Sequence, residues 1–445
     1  MDLSKRNFLK LSSLTLASTI TLFGGENGSL SRSRRELPHK TTKLRSKNPK
    51  VVVVGGGWSG LSFAKHIKRF VPMADITLID RRDMFFSCPV SNAWLFNMVD
   101  MEFLTHSFID AANSNGYTFL QAEAIDLDRE KNILYTTRGE VHYDYLIFAL
   151  GIEYDYYKWS NGDKEFEKRI QREYPPAFIP SSEHITLKNK IKNYKGGNFI
   201  ITVPSGNYRC LPAPYERACL LADHIKQNNI KGKVIILDAN NTVTIKEEGF
   251  LSVFKELYKD ELVYKPSFNI AKIDLDRKVV IDEFDEEIPF EDASFYPNVK
   301  APQLLEKLGL TTKTVYNRVE ANLDVYTNRF KGTDNIFGCG DLRPMGFSKS
   351  GNTAYTEGAN VAKVVADVIY KRDIKWVSPI TFCVSIVSIK PQREISLVSE
   401  YKYGPHGETD FASTITDEDW KNNRLGRAKA QFSWAKSMYN NMFYS

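Results

Sequence analysis

The chain has 445 residues, 42% hydrophobic and 26% charged, which is the balance of an ordinary globular protein of two or three domains. Its net charge of +6 misleads, because residues 1–50 carry eleven Lys and Arg against Asp2, Glu26 and Glu36, a net of +8 that leaves −2 for the rest. The body therefore has no nucleic-acid footprint, and its five cysteines form no Cys-x-x-Cys or metal-ligand cluster.

In chain order, Ser4-Lys5-Arg6-Asn7-Phe8-Leu9-Lys10 precedes the apolar stretch from Leu11 to Phe23. The segment resembles a twin-arginine export signal with Lys5 in place of the first arginine. The apolar run is too short and too rich in Ser and Thr for a membrane span. The expectation is export to the periplasm with no integral membrane association after cleavage; an uncleaved anchor is the alternative. Residues 26–48 read as a polar linker.

The run Val51-Val52-Val53-Val54 is followed by Gly55, Gly57 and Gly60 in a Gly-x-Gly-x-x-Gly spacing, then by a helical pattern through Leu61, Ala64 and Ile67. Asp80 closes a second apolar run, Ile76 to Ile79. Strand, glycines, helix, strand and acid in this order predict a dinucleotide site. Gly55 permits the tight turn, Gly57 lets the backbone approach a pyrophosphate, Gly60 lets helix and strand pack closely, and Asp80 meets a ribose hydroxyl. Strand-like segments follow over 126–135 and 141–150. A second α/β unit then has a strand over 198–203, a helix over 214–225 and another strand over 233–238. Its turn, Val203-Pro204-Ser205-Gly206-Asn207-Tyr208-Arg209-Cys210, has one glycine where a phosphate cradle needs two or three. It reads as a dinucleotide fold without its dinucleotide, or as an atypical NAD site.

The strand ending at Gly340-Asp341, with a helix over 352–369, is the second signature of an FAD domain and selects FAD over NAD for the opening motif. In that signature Asp341 meets the ribityl hydroxyls. Strand-like segments at 381–389 and 394–400 precede an aromatic tail in which Leu425, Ala428, Phe432, Ala435, Met438 and Met442 fall at helical spacing, as core or subunit interface. The fold class is α/β, with two Rossmann-like three-layer dinucleotide-binding domains and a C-terminal α+β interface domain. The FAD domain is discontinuous (49–155 and 297–374), the NAD-like domain covers 156–296, and the interface domain covers 375–445.

Cys210 sits on the loop entering a helix whose first residue is expected to be Pro214. A thiol there is biased toward thiolate, and Arg209 is expected to add positive potential. Glu216, in the first turn, reads either as a proton carrier or as a glutamate stabilised by the helix dipole. Cys219 and Cys339 read as packing residues.

The block Tyr208-Arg209-Cys210-Leu211-Pro212-Ala213-Pro214-Tyr215-Glu216-Arg217-Ala218 resembles the active-site stretch of the flavoprotein subunit of flavocytochrome c sulfide dehydrogenase. The resemblance extends through 51–57, Cys88 with Ser91-Asn92, 234–238, Gly340-Asp341, Lys349-Ser350-Gly351, Cys383 to Ile386, and Trp434 with Tyr439-Asn440-Asn441. It implies that Cys210 and Cys383 form a redox disulfide over the flavin, opened by hydrosulfide to a persulfide and a thiolate, with Glu216 assisting proton movement. It further implies that Cys88 is the position of a covalent FAD thioether, an ordinary buried cysteine being the alternative. Trp434 would then lie between flavin and partner, although plain packing explains it equally well.

The implied activity is sulfide oxidation to sulfur or polysulfide, with electrons leaving through FAD to a small c-type cytochrome subunit. The haem must lie on that partner, since the chain lacks Cys-x-x-Cys-His. Sulfide:quinone oxidoreductase is the rival with the same cysteine logic. A non-enzymatic persulfide carrier is a lesser one, and a type II NADH dehydrogenase is disfavoured by the degenerate second turn.

Overall fold

In this computed structural model, which describes residues 48–344, 346–405, 407–422 and 430–444, the four valines form the central strand of a sheet buried on both faces. β-Branched side chains suit that position. Strand β1 (Lys50–Val54) leads into helix α1 (Trp58–Phe70) and then β2 (Asp75–Asp80). With β3 (Thr118–Gln121) and β4 (Tyr145–Phe148) these strands build one all-parallel sheet. The export-like signal, the linker up to residue 47, and Leu425 and Ala428 lie outside the described residues.

The second unit consists of β5 (Gly196–Val203), α2 (Ala213–Gln227), β6 (Lys231–Asp238), α3 (Glu247–Glu256), β7 (Leu262–Lys265) and β8 (Asp292–Ser294). Its sheet is parallel in the order β7-β6-β5-β8, with β5 and β6 paired from Gly196↔Lys231 to Val203↔Asp238. The chain then returns to the first sheet through β9 (Ile336–Gly338), beside β4, giving the order β9-β4-β1-β2-β3. Helix α4 (Gly351–Ile369) follows and packs on α1. The approach is close at Gly358, where a Cβ would come within 2.3 Å of the Ser59 carbonyl oxygen.

An antiparallel sheet of β10 (Ile380–Ile389), β11 (Gln392–Tyr403) and β12 (Thr409–Asp417) lies against α2, and helix α5 (Ala430–Phe443) closes the described chain.

Several local expectations are corrected. The segment 126–135 is a hairpin, Ala124–Asp128 with Ile133–Thr136, and 141–150 divides between Gly139–His142 and β4. The division falls where Asp144 N–H leaves the hairpin and donates to the Lys50 carbonyl of the parallel sheet. Helix α2 begins one residue early: Pro212 is its cap and Pro214 its second residue, where the missing N–H is still harmless. In α5 the buried residues are Gln431, Ala435, Tyr439, Met442 and Phe443, so the inward face is rotated from the apolar stripe; Phe432 and Met438 are half-buried. Gln431 turns inward because its amide donates to the Val384 carbonyl at 3.1 Å and to Glu216 Oε1 at 3.3 Å.

Candidate active site

A cleft of about 1120 Å³ runs from the glycine fingerprint past Asp80, Cys88 and Asp341 to Cys210, Glu216 and Cys383. At its fingerprint end the three glycines have different reasons. Gly55 has φ +109°, and a Cβ there would meet the Ala149 carbonyl oxygen at 2.4 Å. A Cβ on Gly60 would come within 1.8 Å of the Gly55 carbonyl oxygen. A Cβ on Gly57 would meet nothing within 4 Å, so the protein needs that glycine only for what enters the cleft. Helix α1 starts there without a side-chain cap, which leaves its first N–H groups available to an anion.

Asp80 accepts from Gly56 N–H at 2.7 Å and from Arg82 N–H and Nε at 2.9 and 3.0 Å. Burial pushes its carboxyl up, but Arg82 and these N–H groups hold it below the usual range. At the second signature, Asp341 Oδ2 accepts from Arg209 Nε at 2.7 Å. Its buried Oδ1 has no hydrogen-bond partner among the described residues, with Arg343 3.8 Å away. A fingerprint open at Gly57, an uncapped helix start and an unpartnered Asp341 oxygen in one long cleft fit FAD, with Gly55, Gly57, Gly60 and Asp80 at the ADP end and Asp341 at the ribityl chain.

Cys210 and Cys383 both line the other end of the cleft. Cys210 adopts φ +56°, strained for a non-glycine residue, and is held there by its N–H donating to the Lys349 carbonyl at 2.6 Å. Cys383 comes from β10. Both are free thiols, close enough that each shifts the other's ionisation. Glu216 stands beside them, buried, with Oε2 accepting from Asn92 Nδ2 at 2.8 Å and Oε1 from Ile386 N–H at 2.8 Å. Burial raises its pKa above the usual carboxylate range, against the pull of those donors.

A family model described as pyridine nucleotide-disulphide oxidoreductase matches residues 49–175. A second, described as the central part of the sulfide dehydrogenase (flavocytochrome c) flavoprotein chain, matches 185–293. Together the two matches support the FAD-dependent disulfide-oxidoreductase superfamily for this chain. It is 25% identical over 399 residues to the mitochondrial sulfide:quinone oxidoreductase of Dictyostelium discoideum, covering 85% of this chain and 83% of that one. It is 46% identical over 44 residues to the sulfide dehydrogenase (flavocytochrome c) flavoprotein chain of Chlorobaculum thiosulfatiphilum, 10% of this chain and 92% of that sequence. The solved sulfide:quinone oxidoreductase of Aquifex aeolicus has the same fold, with TM-score 0.65, 18% identity, and coverage of 88% and 90%.

Within this flavoprotein superfamily fold, the acid–base balance of the pair reverses the sequence expectation. The neighbouring Cys383 sulfur, then burial, then the Glu216 charge push the Cys210 thiol well up, while Cys383 is the sulfur drawn toward thiolate. Arg209 is not the reason, since it is turned away to Asp341 and the Phe178 carbonyl. The cation beside the pair is Lys246, whose Nζ lies 3.7 Å from Cys383 Sγ and 2.7 Å from Ser385 Oγ. Neither Lys246 nor Ser385 was evident from sequence: a lysine before Glu247-Glu248 reads as an ordinary charged turn.

Cys88 lines the cleft, 3.9 Å from the fully buried His184 Nε2. Burial pushes its thiol up to about 12, with Arg209 and Arg82 opposing. Cys219 and Cys339 are fully buried in the core, away from the pair.

In the flavoprotein's second nucleotide fold, the acid at the end of β6, Asp238, is fully buried and accepts from Tyr215 OH at 2.6 Å and Tyr264 OH at 2.9 Å. The degenerate turn is bonded to the protein itself: Asn207 Nδ2 donates to the Phe347 carbonyl at 3.1 Å, and Asn317 Nδ2 donates to the Asn207 carbonyl at 3.0 Å. The acid that would meet a nicotinamide ribose is thus taken by two tyrosines. No helix among the described residues is long and apolar enough to cross a membrane.

Proposed function

We propose that this flavoprotein oxidises sulfide through Cys210 and Cys383. The observation that carries the reading is the pair itself: two free thiols from distant segments, neighbours in the cleft that bears the FAD cradle. In the oxidised pair, the sulfur of hydrosulfide bonds to one cysteine sulfur as the disulfide bond breaks, and the electron pair of that bond remains on the other as thiolate. Glu216, raised by burial and held by Asn92 and Ile386, is placed to take the proton released from the sulfur. FAD, when bound, supplies the two-electron acceptor for the opened pair. Asp238, locked by two tyrosines, supports sulfide rather than a nicotinamide as the electron source.

The acceptor best supported is a quinone, because the relatives that align over most of the chain carry that activity in their names. A c-type cytochrome subunit is the second reading. It is favoured by the match to the flavocytochrome chain over 185–293, which includes the Cys210 loop, and by the Trp58–Trp434 stack (5.4 Å between centroids, 4° between planes) beside Phe382 in the cleft. Export through the Lys5-Arg6 segment to the periplasm and a thioether at Cys88 belong to that second reading.

Anaerobic sulfide titration of the purified protein tests the activity: flavin absorbance at 450 nm falls with sulfide and stays unchanged with NADH. An unresponsive flavin defeats the proposal. Reoxidation by decylubiquinone or by a soluble c-type cytochrome separates the two acceptors.

A further inference from the structure

We infer that Lys246 and Ser385 form an anion hole for the sulfur of Cys383 in the open state of the cysteine pair. The inference rests on the reading of Cys210 and Cys383 as the working pair, and it assigns a role to two residues outside it.

The geometry is specific. Lys246 is 3% exposed and sits at the start of α3 in a left-handed conformation, φ +54°. Its ammonium has three donors and three partners: Ser385 Oγ at 2.7 Å, the Ile395 carbonyl at 3.4 Å and Cys383 Sγ at 3.7 Å. Ser385 lies two residues beyond Cys383 on β10, so both side chains project from the same face of the strand. The Ser385 hydroxyl and the Cys210 thiol both draw the Cys383 sulfur toward thiolate. Cys383 thus faces a lysine, a hydroxyl and a thiol. The other ionisable group acting on it is Glu216 from α2, which opposes its ionisation; Glu394 from β11 in turn interacts with Glu216 and Lys246. A buried ammonium without an anion is costly, and the open pair provides one.

The hole serves the pair in either sense of opening. When hydrosulfide bonds to Cys210, the electron pair of the broken disulfide stays on Cys383, and a better-stabilised thiolate leaves faster. When hydrosulfide bonds to Cys383, the terminal persulfide sulfur is the anion next to the lysine.

The test uses the FAD-loaded full chain carrying Cys210→Ser, so that Cys383 is read alone. Its alkylation by iodoacetamide is followed by mass spectrometry of the Cys383 peptide across pH 5–10. We expect Lys246→Met to slow alkylation at pH 7 by about tenfold or more and to restore it at high pH, since each unit of pKa is tenfold in thiolate. Lys246→Arg, which keeps the charge, should remain within about threefold of the parent, and Ser385→Ala should fall between. If the Lys246→Met profile overlays the parent's, the inference is overturned. If Lys246→Met does not retain FAD, an unshifted Ser385→Ala profile does the same. None of these readings uses sulfide, so a flavin that ignores sulfide would defeat the proposed activity while leaving this result to stand or fall separately.

Discussion

The Glu216 carboxylate accepts the backbone N–H of Ile386 at 2.8 Å, and so ties the helix that follows Cys210 to the strand that carries Cys383. The same side chain is both the brace between the two segments and the carboxylate whose charge acts on both sulfurs. Glu216→Gln keeps an acceptor for Ile386 but cannot exchange a proton. Sulfide-driven flavin reduction should slow by about 100-fold, the scale of a lost general base. Because burial raises the Glu216 pKa, the parent's rate should climb with pH as the carboxylate forms, and the variant should lose that limb. Stopped-flow reduction rates across pH 5–9 decide it; an unchanged limb would assign the titration to another group.

What sequence could and could not reveal follows from distance along the chain. Gly55, Gly57, Gly60 and Asp80 lie within one local unit, and their spacing alone encodes turn, cradle and acid. Gly340-Asp341 is local in the same way. Cys210 and Cys383 share no spacing rule, so only the resemblance to a known family joined them. Lys246 was illegible because its role comes from a backbone turn and from β10 and β11 arriving beside it. Arg209 was misread for the complementary reason: proximity in sequence to Cys210 suggested a partner, but Asp341, far along the chain, takes its guanidinium.

Replacing either thiol separates chemistry from cofactor binding. Cys210→Ser and Cys383→Ser should each lower sulfide-driven reduction by about 1000-fold or more, the cost of removing a member of a covalent relay. FAD content should stay at parent levels, because the fingerprint and Asp341 lie at other parts of the cleft. Absorbance at 450 nm per protein, measured with the reduction rate, checks both halves. A serine variant that is still reduced by sulfide at the parent rate would remove the pair from the mechanism.

The two inner glycines should respond in opposite ways. Gly60→Ala drives a Cβ to within 1.8 Å of the Gly55 backbone oxygen, so it should destabilise the fold by more than about 3 kcal/mol or prevent folding. Gly57→Ala meets no protein atom and has φ −78°, so the FAD-free chain should lose only about 0.5 kcal/mol. Its methyl would instead enter the space reserved for the pyrophosphate, and FAD affinity should fall at least about tenfold, some 1.4 kcal/mol. Urea unfolding of FAD-free protein and flavin-fluorescence titration measure the two effects. Equal FAD affinity in Gly57→Ala and parent would argue that the cofactor's phosphates lie elsewhere.

The last expectation concerns Glu394, which stands on β11 in register with Ile386 and is 8% exposed. Its Oε1 accepts from Gln392 at 2.8 Å, while Oε2 has no hydrogen-bond partner among the described residues. Burial pushes its pKa from the ordinary 4.5 up to about 8; the Glu216 charge adds to this, and the Gln392 bond and Lys246 only partly oppose it. The folded protein therefore binds a proton between these two values where the unfolded chain has released it. Stability associated with the group is fully present below about 4.5 and is lost as pH rises through about 8. Glu394→Gln fixes the neutral form. It should match the parent near pH 4, gain on it steadily up to about pH 8, and hold a lead of about 4–5 kcal/mol above that. Urea unfolding at matched FAD content gives the comparison. Parallel pH–stability curves would mean that Glu394 ionises without cost and that its neighbourhood opens to water.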